Sequence, residues 1–288
     1  MKIAIVGIGG VGGYFGGLLS KRYSDDKDVE IVFIARGNHL EEIKANGLQL
    51  ITEKGKFIVS PDLATDNPSG CGTFDLVLFC VKGYDLEEST KLLSPHISIL
   101  HNGKILNGCV YIGAHIVRPG VCQQAGGLCK IFFGSESNEP IDGESIENIF
   151  REASIDAEYR KDITNIVWEK YVFVSPFASA TTFMNKTMRE ILDSTEGKEL
   201  LEDLLEEVLS IAKGQGVELP ENIRETTIKK ASAFPYETKT SMQMDFEKGK
   251  KAELETFTGF IVNKAKKFGL SVPKHEKVYA ALQNRLSL

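Results

Sequence analysis

Three glycines stand at the spacing G-x-G-x-x-G in Gly7-Ile8-Gly9-Gly10-Val11-Gly12, directly after the apolar run KIAIV. Glycines so placed suit a main chain that a diphosphate must approach. Gly7 permits a tight turn, Gly9 lets the anion come close to the backbone, and Gly12 lets a helix pack against the preceding strand. Gly10 and Val11 fall at the N-terminus of that helix, whose dipole attracts the anion. The motif alone is weak; its place between a strand and a helix makes it a dinucleotide-binding signal. A lysine before an apolar run also opens secretory signals, but glycine is a poor helix former and no A-x-A-like cleavage site follows.

The choice between NAD and NADP falls at the end of the second strand, where an acidic residue would hold a ribose 2′-hydroxyl. That strand ends Ile34-Ala35-Arg36-Gly37, with no carboxylate and with Arg36, whose guanidinium suits a 2′-phosphate. NADP, as NADPH or NADP+, is therefore the expected cofactor; the alternative for Arg36 is a surface arginine on a turn. Lys82 follows the apolar run FDLVLFCV at the edge of the sheet where such ligands bind. It is expected to contact the cofactor, the alternative being a solvated lysine.

Positioning these residues requires a sheet. Strands are expected at KIAIVG, Val29–Ala35 and Phe74–Val81, with two more in ILNGCVYIGA and KIFFG. Helices are expected over Val11–Tyr23, His39–Asn46 and near Leu86–Leu93. Strands apolar on both faces suit a parallel sheet covered by helices on each side. From about Asp162 the pattern turns helical, and Leu200, Leu201, Leu204, Leu205, Val208, Leu209 and Ala212 form one stripe with Glu202, Asp203, Glu206 and Glu207 off it. The expected architecture is a Rossmann-type, doubly wound α/β domain over residues 1–162, followed by an all-helical domain over 163–288.

Composition narrows the partners. A hydrophobic content of 42%, a charged content of 26% and a net charge of −6 describe a globular chain poorly suited to nucleic acid. The basic run Lys248–Lys251 reads as solvated surface. Five cysteines without a C-x-x-C pair suggest reduced, mostly buried thiols in a cytoplasmic setting, and the scattered histidines suggest no metal. No apolar run is long enough for a membrane span.

The chain resembles the ketopantoate reductases, or 2-dehydropantoate 2-reductases, over essentially its whole length. The matching pieces are the glycine-rich opening, Ala35-Arg36-Gly37, Asn46-Gly47-Leu48, Val81-Lys82, Val110–Gly113 and Arg118-Pro119-Gly120. In the second half they are Trp168-Glu169-Lys170, S-M-x-x-D at Ser241–Asp245, E-x-E at Glu253–Glu255 and Gly269–Pro273. The resemblance implies reduction of 2-dehydropantoate to pantoate with NADPH, a step of pantothenate biosynthesis. It places the catalytic lysine at Lys170, its partner glutamate, also near the cofactor, at Glu253, and a substrate-binding serine at Ser241. An ammonium beside a ketone stabilises the oxyanion that hydride transfer creates and then delivers the proton.

Two departures qualify the resemblance. The family's substrate-binding asparagines, four and eight residues after the lysine, are here Val174 and Ala178; Ser175 and Ser179, one residue further on, are the candidate replacements. The family's N-G near the nicotinamide would match Asn102-Gly103, but Lys82 to Gly108 is too short to hold the strand, loop and helix that go with it. Asn102-Gly103 therefore reads as a turn; either the protein lacks the loop or, the favoured expectation, a segment between about Ser98 and His101 is absent from the sequence. The alternatives to a 2-dehydropantoate reductase are a reductase of another 2-oxo acid and a catalytically silent NADP-binding sensor. A homodimer is possible on this reading.

Overall fold

A computed structural model describes residues 1–96, 104–137 and 140–286. Asn102-Gly103 and the Ser98–His101 expectation lie outside the described residues. The chain divides into two compact units, Met1–Ile163 and Thr164–Leu288.

The first unit begins with β1 (Lys2–Val6), α1 (Gly10–Tyr23), β2 (Glu30–Ile34), α2 (Gly37–Asn46), β3 (Leu48–Thr52), β4 (Gly55–Val59), β5 (Leu63–Thr65), β6 (Leu76–Phe79) and α3 (Leu86–Leu93). It continues through β7 (Asn107–Tyr111), β8 (Ala114–Arg118), β9 (Val121–Gln124), β10 (Lys130–Gly134), α4 (Gly143–Glu152) and β11 (Asp156–Tyr159). A parallel sheet runs in the order β5-β2-β1-β6. Its two faces feed different cores, as a period of two requires. Ile3, Ile5, Ile31 and Phe33 join one apolar cluster, while Ala4, Val6, Val32 and Ile34 join another. Because β1 pairs with β2 on one side and β6 on the other, the carboxyl end of β1 is the switch point where such sheets bind ligands.

The parallel sheet is smaller than expected. The strands expected from ILNGCVYIGA and KIFFG do form, as β7 and β10, but they pair antiparallel to each other and, with β11, make a separate three-stranded sheet. An apolar run marks a strand but not its neighbour, because pairing is set by distant segments. A further four-stranded sheet, β4-β3-β9-β8, comes from two hairpins that the apolar pattern did not mark.

The second unit, α5 (Ile163–Met184) onward, is helical. It contains α6 (Met188–Asp193), α7 (Thr195–Gly214), α8 (Ile223–Ser232), α9 (Ser241–Glu247), a π-helical turn over Glu255–Gly259, α10 (Phe260–Phe268) and α11 (Pro273–Leu286). Thr187 and Glu190 form a capping box on α6, and Gly269 ends α10 in the left-handed region at φ 65°. Of the α7 stripe, Leu201, Leu204, Leu205, Val208 and Ala212 are buried and Leu200 and Leu209 half-buried, and Ile211, outside the expected stripe, is buried with them. Glu207, expected off that stripe, is also buried, at 8% exposure. Its carboxylate accepts from the Lys274 and His275 amides at 2.8 Å each and lies 2.7 Å from His275 Nδ1, so it supplies the anion that the N-terminus of α11 needs. Lys248–Lys251 is exposed. Among the described residues no helix is long and apolar enough to cross a membrane.

Candidate active site

The turn after β1 is held from both sides. Gly7 takes φ +88° and its amide donates to Ile34 O at 2.9 Å, while the Cys80 amide donates to Val6 O at 2.8 Å. A Cβ on Gly12 would stand 2.1 Å from Gly7 O, and one on Gly10 would stand 2.2 Å from Ala114 O. Gly9 differs: a Cβ there would meet nothing within 4 Å. Gly9 is also the N-cap of α1 and brings no side chain to cap it, so first-turn amides remain for an anion. Val11 packs its side chain into the adjoining core. Open space above Gly9 and uncapped amides beside it fit a dinucleotide diphosphate. Cys122 lies beneath this loop, its Sγ 3.3 Å from Gly10 O, and burial pushes the thiol pKa up to about 11, which keeps it neutral. No spacing in the sequence marked Cys122; β9 brings it there.

Arg36 follows β2 as the N-cap of α2, and Lys82 follows β6 at the start of a 3-10 turn, Gly83–Asp85. The two therefore leave the carboxyl ends of strands that flank β1. The exposed Arg36 guanidinium pairs with Asp85 at 3.4 Å and Glu88 at 3.6 Å. Neither acid was marked by motif, because both look like ordinary charges at the start of a helix.

In the second unit, Lys170 is half-buried on α5, and its chain neighbours Trp168 and Tyr171 pack with each other and with Phe260, ring centroids 5.4–6.1 Å apart. One face of α5 is committed to the π-helical turn. Tyr171 Oη donates to Thr256 O at 2.9 Å and Phe257 O at 2.7 Å, Ser175 Oγ donates to Phe257 O at 2.9 Å, and Ser179 Oγ pairs with Thr258 Oγ1 at 2.8 Å. A π-turn misaligns the regular carbonyl ladder, and these hydroxyls satisfy what it leaves. Ser175 and Ser179 are both 0% exposed. They are thus structural ties and not replacements for the absent asparagines. Lys170, Val174 and Ala178 each precede a member of that row by one residue, so their face is turned by about 100° from it. That face carries a lysine and then apolar groups, with Val174 half-buried and Ala178 1% exposed.

Glu253 is half-buried, two residues ahead of the π-turn, and its carbonyl accepts from the Phe257 amide at 3.0 Å. The Tyr171 bond to Thr256 lays α5 along this same segment. Ser241 is the exposed first residue of α9. Its neighbour Thr240 caps α9 and lies 2.8 Å from Thr181 Oγ1, which ties this helix start to α5 as well.

Two family profiles match the chain: Ketopantoate reductase PanE/ApbA over residues 3–103 and its C-terminal counterpart over residues 162–285. The chain belongs to the ketopantoate reductase family. Its relatives include the uncharacterized oxidoreductase YkpB of Bacillus subtilis, 27% identical over 98% of both chains. Among solved structures, the 2-dehydropantoate 2-reductase of Porphyromonas gingivalis W83 is 30% identical, with a TM-score of 0.82 over 98% of this chain and 99% of that one. A D-mandelate dehydrogenase with NADH and anilino(oxo)acetate shares the fold at TM-score 0.83 and 18% identity, over 100% of this chain and 99% of that one. The family is one of 2-dehydropantoate 2-reductase-like oxidoreductases.

Proposed function

We propose that this protein reduces the ketone of a small 2-oxo acid with NADPH, with Lys170 as proton donor. The observation that supports the reading is Lys170 itself, half-buried on α5, the helix that Tyr171 ties to the segment just after Glu253. Bound at the glycine loop, NADPH supplies the hydride. Gly7, Gly9, Gly10 and Gly12 with Val11 shape the diphosphate cradle, and Arg36 and Lys82 meet the adenosine and sheet-edge parts of the cofactor. The Lys170 ammonium stabilises charge developing on the ketone oxygen and donates the proton. Glu253 orients that ammonium and borders the cofactor, and Ser241 offers its exposed hydroxyl to the substrate carboxylate. A silent NADP sensor would need neither Lys170 nor Glu253. Five cysteines that form no disulfide among the described residues support a cytoplasmic setting.

2-Dehydropantoate is the first substrate to test, on the strength of the relatives that bear its name. Another 2-oxo acid is the second reading. Val174 and Ala178 are apolar and Ser175 and Ser179 are consumed by the π-turn, so this stretch of α5 offers no polar group to a substrate hydroxyl. The D-mandelate dehydrogenase structure shows that the fold also accommodates an aryl oxo acid derivative. The test is NADPH oxidation, followed by absorbance, with 2-dehydropantoate and a panel of alkyl and aryl 2-oxo acids. Turnover with 2-dehydropantoate alone gives the first reading, and turnover only with another acid gives the second. Silence across the panel, with NADPH still bound, overturns the reductase reading in favour of the sensor.

A further inference from the structure

Arg36 is not alone at the position that reads the adenosine ribose. Asp85 and Glu88, carried by the segment after β6 on the other side of β1 in the sheet, both reach its guanidinium, at 3.4 and 3.6 Å. Asp85 sits at the N-cap of α3, where an aspartate ordinarily accepts an amide of the first helical turn. Here it makes no such bond and reaches Arg36 instead. Its side chain is 24% exposed against 65% for the arginine, so the carboxylate is the more enclosed partner.

Resting on the reductase reading above, we propose that Asp85, assisted by Glu88, sets the balance between NADPH and NADH. An arginine free of acids favours a 2′-phosphate strongly, through a charge-assisted, bidentate pair. A 2′-phosphate that comes to Arg36 in this protein meets a guanidinium already paired with two carboxylates. It must displace them or bear their repulsion. A 2′-hydroxyl carries no charge and can donate to an aspartate, which is how NAD-specific sites of this fold class read the ribose. The single site thus holds both readers: Arg36 for the phosphate and Asp85 for the hydroxyl. The consequence is a narrow preference, with both reduced cofactors bound.

The experiment is titration of the full-length protein with NADPH and with NADH, followed by nicotinamide fluorescence, for wild type, Asp85→Asn and Arg36→Ala. The ratio of the two dissociation constants is the readout, because a general loss of folded protein leaves it unmoved. Wild type should bind both within about tenfold of each other, and Asp85→Asn should move the ratio toward NADPH by about tenfold, the effect of removing one nearby charge. Arg36→Ala should move it toward NADH. A ratio that shifts less than threefold in Asp85→Asn, or a wild type that binds NADPH and rejects NADH, overturns this inference and leaves the reductase reading standing. Failure of wild type to bind either dinucleotide overturns both.

Discussion

The glycine loop after β1 and the lysine-bearing helix α5 prepare for chemistry by opposite means. The loop works by omission: Gly12 cannot carry a Cβ because Gly7 O lies 2.1 Å away, while Gly9 leaves open space for a ligand. Helix α5 works by partition. One row, Tyr171, Ser175 and Ser179, is spent on holding the π-turn, and the neighbouring row carries Lys170, the half-buried Val174 and the buried Ala178. In the loop each residue's role follows from the backbone around it. On the helix a displacement of one residue separates a hydroxyl tied to the π-turn from the position that carries Lys170.

The contrast can be broken most severely at Lys170. Under the proposed mechanism Lys170→Ala should lower turnover by roughly 10²–10⁴-fold while NADPH binding is retained, because the ammonium would act on charge that develops only during reaction. Steady-state rates and a fluorescence titration check the two halves of that statement. Undiminished turnover would remove Lys170 from the catalytic role.

The two loop glycines should then separate from each other. Gly12→Ala forces a clash with backbone and should cost about 2–3 kcal/mol in denaturant unfolding, with dinucleotide binding lost alongside. Gly9→Ala meets nothing within 4 Å and should leave stability within about 0.5 kcal/mol while still weakening NADPH. Equal destabilisation by both would mean that Gly9 is structural.

Ser179→Ala tests the helix row. It strands the buried Thr258 hydroxyl and should cost about 1–3 kcal/mol, with KM for the 2-oxo acid unchanged. A raised KM at unchanged stability would place Ser179 in the substrate site.

The smallest effect concerns acid. A hydrogen bond from Lys130, and a second from Arg160, hold the Glu158 carboxyl below its usual range, and Arg160 does the same for Asp162. Depressed carboxylates add stability above their unfolded pKa values, and that contribution is lost as pH falls through the lower folded values. These groups are largely exposed, so the loss should stay under about 1 kcal/mol. Unfolding curves from pH 7 to pH 3 should be slightly flatter for Arg160→Ala than for wild type.

Legibility in sequence followed locality. KIAIVG, the glycine spacing and the α7 stripe announce themselves within one window, since each depends on its own period or backbone demand. The role of Glu207 was invisible there: at the margin of an apolar stripe it reads as solvated, and only α11, arriving 67 residues later, gives it amides to accept. The pairing of Asp85 with Arg36 was hidden in the same way, across 49 residues.

By itself the sequence determined the strand–glycine–helix opening and the helical character of the second half, and through resemblance it nominated Lys170, Glu253 and Ser241 as candidates. Tertiary structure alone decided which strands share a sheet, that Ser175 and Ser179 serve the π-turn, and that Arg36 is shared with two acids. The physical reason is that periodicity and glycine sterics act within a few residues. Hydrogen bonds and ion pairs satisfy whichever groups the fold brings together, whatever their distance along the chain.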